Sequence, residues 1–249
     1  MFLQDPTDNA VVSHITAVIA AIGALGTASY GIVDASKAVL GGVSNRGFGS
    51  IARTMATLLP EKTITAAAHA ATPERPIPPA LSLGSILVTL KSNWINGMAK
   101  DDQVAIAKSL VKLRLDESSA PFLARLTGVN PDGLISVASK ISSGTPLGKN
   151  ESDVYGRFDL VLTTLLDQAY QRGDQQYRNT AKICAVFASV ILALAGGAAL
   201  GQIRQPFISD HGFWEAFLAG LLATPLAPVA KDVASAIQAG AKAVQAWRS

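Results

Sequence analysis

ICAVFASVILALAGGAALGQI, residues 183–203, runs for 21 positions without a charged side chain. A bilayer core about 30 Å thick needs roughly 20 apolar residues of helix, so this stretch is long enough to cross one. Two more uncharged stretches accompany it. They are NAVVSHITAVIAAIGALGTASYGIV at residues 9–33 and the shorter AFLAGLLATPLAPVA at residues 216–230. In water these segments would expose apolar surface that nothing else in the sequence can cover. The expected fold class is all-α: an integral membrane protein with three transmembrane helices and a helical cytoplasmic block between the first and second.

Composition agrees. Charged residues make up 16% of the chain, against about 25% in a soluble domain. The net charge of +3 does not point to nucleic acid. The lysines and arginines are scattered singly, with no basic stripe and no interleaved stacking aromatics. The basic excess has a membrane explanation instead. Residues 1–8 carry a net charge of −2, residues 34–182 a net +4, residues 204–215 a net −1, and the tail from Lys231 a net +2. Orientation follows Lys and Arg near helix ends. Lys37, Arg46 and Arg53 follow the first span; Arg172, Arg178 and Lys182 precede the second. The expected placement is the inner (cytoplasmic) membrane, with the N-terminus outside and the C-terminus cytoplasmic. The acidic residues 1–8 lack the basic start of a secretory signal, and 25 uncharged residues exceed a signal's apolar region, so the first stretch is expected to stay as a span.

Between the first two spans, residues 34–40 read as a helical continuation, interrupted by Gly41-Gly42 and by Arg46-Gly47-Phe48-Gly49. Residues 51–59 form an apolar-periodic piece stopped by Pro60. A proline-rich strap at 60–79, with Pro73, Pro76, Pro78 and Pro79, favours extended chain. Helical patterns follow. Leu81, Ile86, Leu87 and Leu90 mark one face; Asp101 or Asp102 can cap a helix carrying Val104 and Val111; Ser118 or Ser119 can open another. Asn130-Pro131-Asp132-Gly133 is a turn signal, with a short helix at 134–141 and a flexible loop at 142–150. The helical domain thus covers residues 34–150.

Residues 151–182 read as an amphipathic juxtamembrane helix, with Val154, Phe158, Val161, Leu162, Leu165 and Leu166 on its apolar face and a bend expected near Gly173. Tyr170, Tyr177, Arg178 and Lys182 suit the headgroup layer as interface anchors. A connection at 204–212 leads to the third span, 213–230. Phe213 and Trp214 anchor its outer end and Lys231 its inner end; Pro225 and Pro228 should kink it, so full crossing and re-entry both stay open. The tail, 231–249, reads as an interfacial helix with Trp247 as a further anchor.

Four blocks, Asp34-Ala35, Phe158-Asp159, Tyr177-Arg178 and the run from Leu221 to Pro228, are similar to a group of uncharacterised bacterial three-span membrane proteins. The resemblance covers the ends of the chain better than its middle. It implies topology and, since the group carries no assigned activity, nothing catalytic.

No chemical motif is complete. The segment from Gly144 to Asn150 is one residue short of a phosphate loop and ends in Asn where a metal-binding hydroxyl belongs. His14, His69 and His211 lack zinc-ligand spacing, and the single Cys184 lies within a span without a visible base. No cofactor, metal or catalytic residue is expected, and the chain is not expected to be an enzyme. The spans do contain small residues at packing intervals: Gly23 and Gly26, Gly197 and Gly201 as a GxxxG pair, and Ala216 with Gly220. Lipid offers no hydrophobic drive for helix association, so close backbone approach must supply it. These faces either pack the spans on one another or dock another membrane protein. The expected function is a non-catalytic structural or accessory subunit anchoring or stabilising a larger complex, its partners being the lipid bilayer and other membrane subunits. The alternative is a homo-oligomeric pore or membrane-disrupting effector lined by Ser13, His14, Thr16, Thr27, Ser29 and Tyr30.

Overall fold

The structure, a computed structural model, describes residues 6–60, 78–204 and 206–248. Among these, every regular element is helical. They are α1 (Pro6–Leu40), α2 (Ser44–Leu58), α3 (Leu83–Ile95), α4 (Lys100–Leu113), α5 (Ala120–Thr127), α6 (Pro131–Ser143), α7 (Lys149–Ala199) and α8 (His211–Arg248). Short 3₁₀ turns lie at Pro79–Leu81 and Phe207–Ser209. Three of the helices, α1, α7 and α8, are long and apolar enough to cross a membrane, the architecture of a multi-pass membrane protein. The chain divides into two compact units, Ser44–Tyr177 and the remainder, and α7 changes unit between Tyr177 and Arg178. Residues 61–77 of the proline-rich strap, His69 among them, lie outside the described residues, as do residues 1–5.

The unit Ser44–Tyr177 obeys the rules of a water-soluble bundle. Its spine is the first part of α7, where Phe158, Leu162, Leu166 and Tyr170 recur every fourth residue and are fully buried. Around them pack Phe48, Ile51 and Met55 from α2, Ile86 and Leu90 from α3, Val104 and Val111 from α4, Leu123 from α5, and Leu134 and Val137 from α6. Each such side chain contributes about 1.5–3 kcal/mol by leaving water. Lysines of α4 pair with acids of α7 at the surface: Lys100 with Asp167 at 3.3 Å, and Lys108 with Asp159 at 3.2 Å. Lys112 also pairs with Asp159.

Three local expectations change within this unit. Arg46-Gly47-Phe48-Gly49 does not interrupt a helix but lies inside α2. Gly47 is there because α2 and α7 nearly touch backbones: a Cβ at position 47 would sit 2.7 Å from the Gly173 carbonyl oxygen and 2.7 Å from Trp94. Asn130-Pro131-Asp132-Gly133 is a helix start rather than a free turn. The Asn130 side chain accepts from the Gly133 amide at 2.8 Å, and Pro131 takes the first helical position, where its missing N–H costs nothing. Asp101 and Asp102 are not caps; α4 begins one residue earlier, and both acids occupy its first turn, where the helix dipole favours negative charge.

The other unit is built around α8. The end of α7 returns on it as a hairpin, with Gly197 beside Ala216 and Val190 beside Gly220. On another side α1 packs with Gly23 at Ala230 and Gly26 at Ala223 and Ala227. Rising numbers on α1 meet falling numbers on α8, so that pair is antiparallel too. α8 itself runs unbroken through Pro225 and Pro228 to Arg248, so the tail expected as a separate interfacial element is one helix with the third span.

Candidate functional site

The α7–α8 hairpin is the candidate site, because its chemistry is the reverse of the bundle's. Its outward surface is large and apolar. Ile183, Phe187 and Ile191, spaced every four residues on α7, are 58%, 66% and 65% exposed. Leu218, Leu222 and Leu226 repeat that spacing on α8 and are also exposed. Its inside is small and polar. The Ser189 hydroxyl donates to the Gly220 carbonyl oxygen at 2.6 Å, and Ser189 and Thr224 hydroxyls lie 3.1 Å apart. Ser189, Gly220 and Thr224 are all buried. In water this arrangement would waste its apolar surface; in hydrocarbon it is the favoured one, since small residues admit close helices and hydroxyls find partners between them.

The expected packing residues separate into two groups. Gly23, Gly26, Gly197, Ala216 and Gly220 all sit at helix–helix contacts of this unit. A Cβ at position 220 would lie 2.6 Å from Val190 Cα and 2.9 Å from the Ser189 carbonyl oxygen, so only glycine admits this approach. Gly201 does not belong with them. It lies past the end of α7 in a left-handed conformation, φ 68°, and a Cβ there would meet nothing within 4 Å. The GxxxG spacing runs two residues past Ala199, the last residue of α7, and Gly201 terminates the helix instead.

The expected interface anchors also divide. Phe213, Trp214 and Phe217 form one aromatic cluster at the start of α8, with Phe213 and Trp214 centroids 5.4 Å apart. The Trp214 indole donates to the Ile208 carbonyl oxygen at 2.9 Å. Arg178 and Lys182 are exposed. Tyr170 is a correction: its ring is fully buried in the soluble-type core, not held at a headgroup layer. The four-residue series from Phe158 through Leu162 and Leu166 continues to position 170 and draws the ring inward, and the hydroxyl points at the Gln103 carbonyl oxygen at 3.5 Å. Tyr177 is half-buried and meets Trp94 edge-to-face at 6.5 Å. The side chains of Lys231 and Trp247 lie outside the described residues.

Trp94 is the residue the sequence reading missed. Its indole donates to the Ser44 carbonyl oxygen at 3.0 Å and its ring touches Tyr170 as well as Tyr177. It ties the two ends of the soluble-type unit together. Its position one turn after Leu90, on the apolar face of α3, was the available signal.

In the bundle two acidic side chains are held by structural contacts. Glu151 accepts from Lys140 at 2.6 Å, from the Ser136 hydroxyl at 2.6 Å and from the Gly148 amide at 2.7 Å. Its carboxyl is lowered to about 2 chiefly by the Lys140 hydrogen bond, then by Ser136 and Gly148. The Gly148 amide, which a phosphate loop would offer to an anion, is thus taken. Burial pushes the Asp159 carboxyl up, but hydrogen bonds from Lys112 and Lys108 outweigh it and hold the group below its ordinary value. Among the described residues no cluster of His, Cys, Asp and Glu is placed to hold a metal ion. Compared with known proteins, the chain matches no family model, no curated protein and no solved structure.

Proposed function

We propose that this protein is a non-catalytic membrane-anchored accessory subunit. The α7–α8 hairpin is its anchor and the Ser44–Tyr177 bundle is the part it presents at the cytoplasmic face of the inner membrane to other membrane subunits. The observation that carries this reading is the inside-out hairpin, apolar outward and small and hydroxylic inward, continuous through α7 with a bundle of ordinary soluble build. The anchor has what lipid demands, and the bundle closes a core of its own, which leaves its surface, Val88, Leu113 and Leu160 included, for protein contact. The charge bias around the spans supports a cytoplasmic bundle and C-terminus.

Two measurements test it. The native particle, extracted in nanodiscs and weighed by mass spectrometry, should contain other polypeptides in fixed ratio. A ring of this chain alone would replace the accessory reading with a self-assembled pore. A reporter fused after Ser249 should be active only in the cytoplasm; activity outside would reverse the orientation.

A further inference from the structure

Three crossings joined by non-crossing segments must alternate in direction. The described residues between α1 and α7 contain no further candidate span, and residues 61–77 include Glu61, Lys62, Glu74 and Arg75, too polar to serve as one. If α1, the end of α7 and α8 all cross, α1 and α8 must therefore run the same way. In the structure they run opposite ways, with Gly23 at Ala230 and Gly26 at Ala223 and Ala227. α8 packed this way cannot cross with α7 while α1 crosses beside it.

From this conflict we infer that α1 is a separable helix: its pairing with α8 is the uninserted arrangement, and α1 crosses the bilayer only after leaving α8. The inference rests on the hairpin anchor proposed above. Three features of α1 suit it to parting. Its Thr27, Ser29 and Ser36 hydroxyls donate to Gly23, Leu25 and Val33 carbonyls of α1 itself, so separation breaks none of these bonds. The hairpin differs, because Ser189 binds across to Gly220. α1 leaves Ile15, Val18 and Ile32 exposed, apolar surface that lipid would take up. It is followed directly by Gly41 and Gly42, at φ 69° and 42°, two glycines in left-handed conformations that side chains resist and that form a ready joint.

The test uses spin-label distances in the full chain, with Cys184→Ala as background. In the observed register Ile15 lies within about two turns of Val233 but some 20 residues, roughly 30 Å, from Leu218. Labels on Ile15→Cys with Val233→Cys, and on Ile15→Cys with Leu218→Cys, are read in mild detergent and in phosphatidylglycerol-containing nanodiscs. Trypsin added outside sealed phosphatidylglycerol-containing vesicles that carry the bundle on their outer face reports separately whether the hairpin has crossed, since a crossed hairpin places Arg204 inside and protected. A second pair, Ile32→Cys with Leu221→Cys, lies opposite in the same register and guards against a label that disturbs Ile15. The expected result is a protected hairpin together with loss of the short Ile15–Val233 and Ile32–Leu221 distances in nanodiscs. A protected hairpin with both short distances retained overturns the inference alone. Arg204 cleaved from the face that carries the bundle overturns the anchor, and the inference with it.

Discussion

Gly220→Ala is the sharpest test of how the hairpin holds together. The new methyl carbon would lie 2.6 Å from Val190 Cα and 2.9 Å from the Ser189 carbonyl oxygen. Carbon atoms prefer about 3.5–4 Å, so the helices must part by about 1 Å. Parting strains the Ser189 hydroxyl bond to the Gly220 carbonyl, now 2.6 Å long. Overpacking of this kind costs about 1–3 kcal/mol, and an interhelical hydrogen bond in a membrane averages about 0.6 kcal/mol. Against this, alanine improves helix propensity by about 0.8–1 kcal/mol. The net expectation is a loss of about 1–3 kcal/mol. Gly196→Ala is the control, because a Cβ there meets nothing within 4 Å and only the propensity gain remains. Thermal unfolding of the full chain in nanodiscs, followed by helical circular dichroism, should rank Gly196→Ala at or above the parent and Gly220→Ala below it. Equal midpoints for the two variants would refute the backbone contact.

Two further outcomes follow from the soluble-type unit. Gly47→Ala should lower the stability of that unit by about 1–2 kcal/mol in denaturant, since its methyl would press on the Gly173 carbonyl and Trp94; unchanged unfolding would mean α2 and α7 are not in backbone contact. Glu151 has its folded carboxyl lowered to about 2, so its contribution is complete above the unfolded value of about 4.3 and is lost as pH falls from there towards 2. Hydrogen exchange of the Gly148 amide should therefore accelerate over that acid range in the parent chain and be fast and pH-insensitive, beyond intrinsic exchange, in Glu151→Gln. A parent amide that stays protected to pH 2 would contradict the carboxylate's role.

The sequence alone determined that the chain is helical and that three stretches suit lipid, because a long uncharged run leaves the backbone no other stable form in hydrocarbon. It also determined most packing glycines of the spans, since small residues at four-residue intervals are how helices approach where no hydrophobic drive exists. Tertiary structure decided the rest. Tyr170 has the composition of an interface anchor, and only the neighbours of its helix face make it a core residue. Gly201 shares a spacing with Gly197, and only the place where α7 ends separates their roles. Trp94, one aromatic residue on an ordinary amphipathic helix, became a tie only when Ser44 and Tyr177 were brought to it. Above all, residue periodicity gives each helix a face but no direction relative to a partner. A small-residue stripe packs as well antiparallel as parallel, so that α1 runs against α8 was visible only in which glycine meets which alanine.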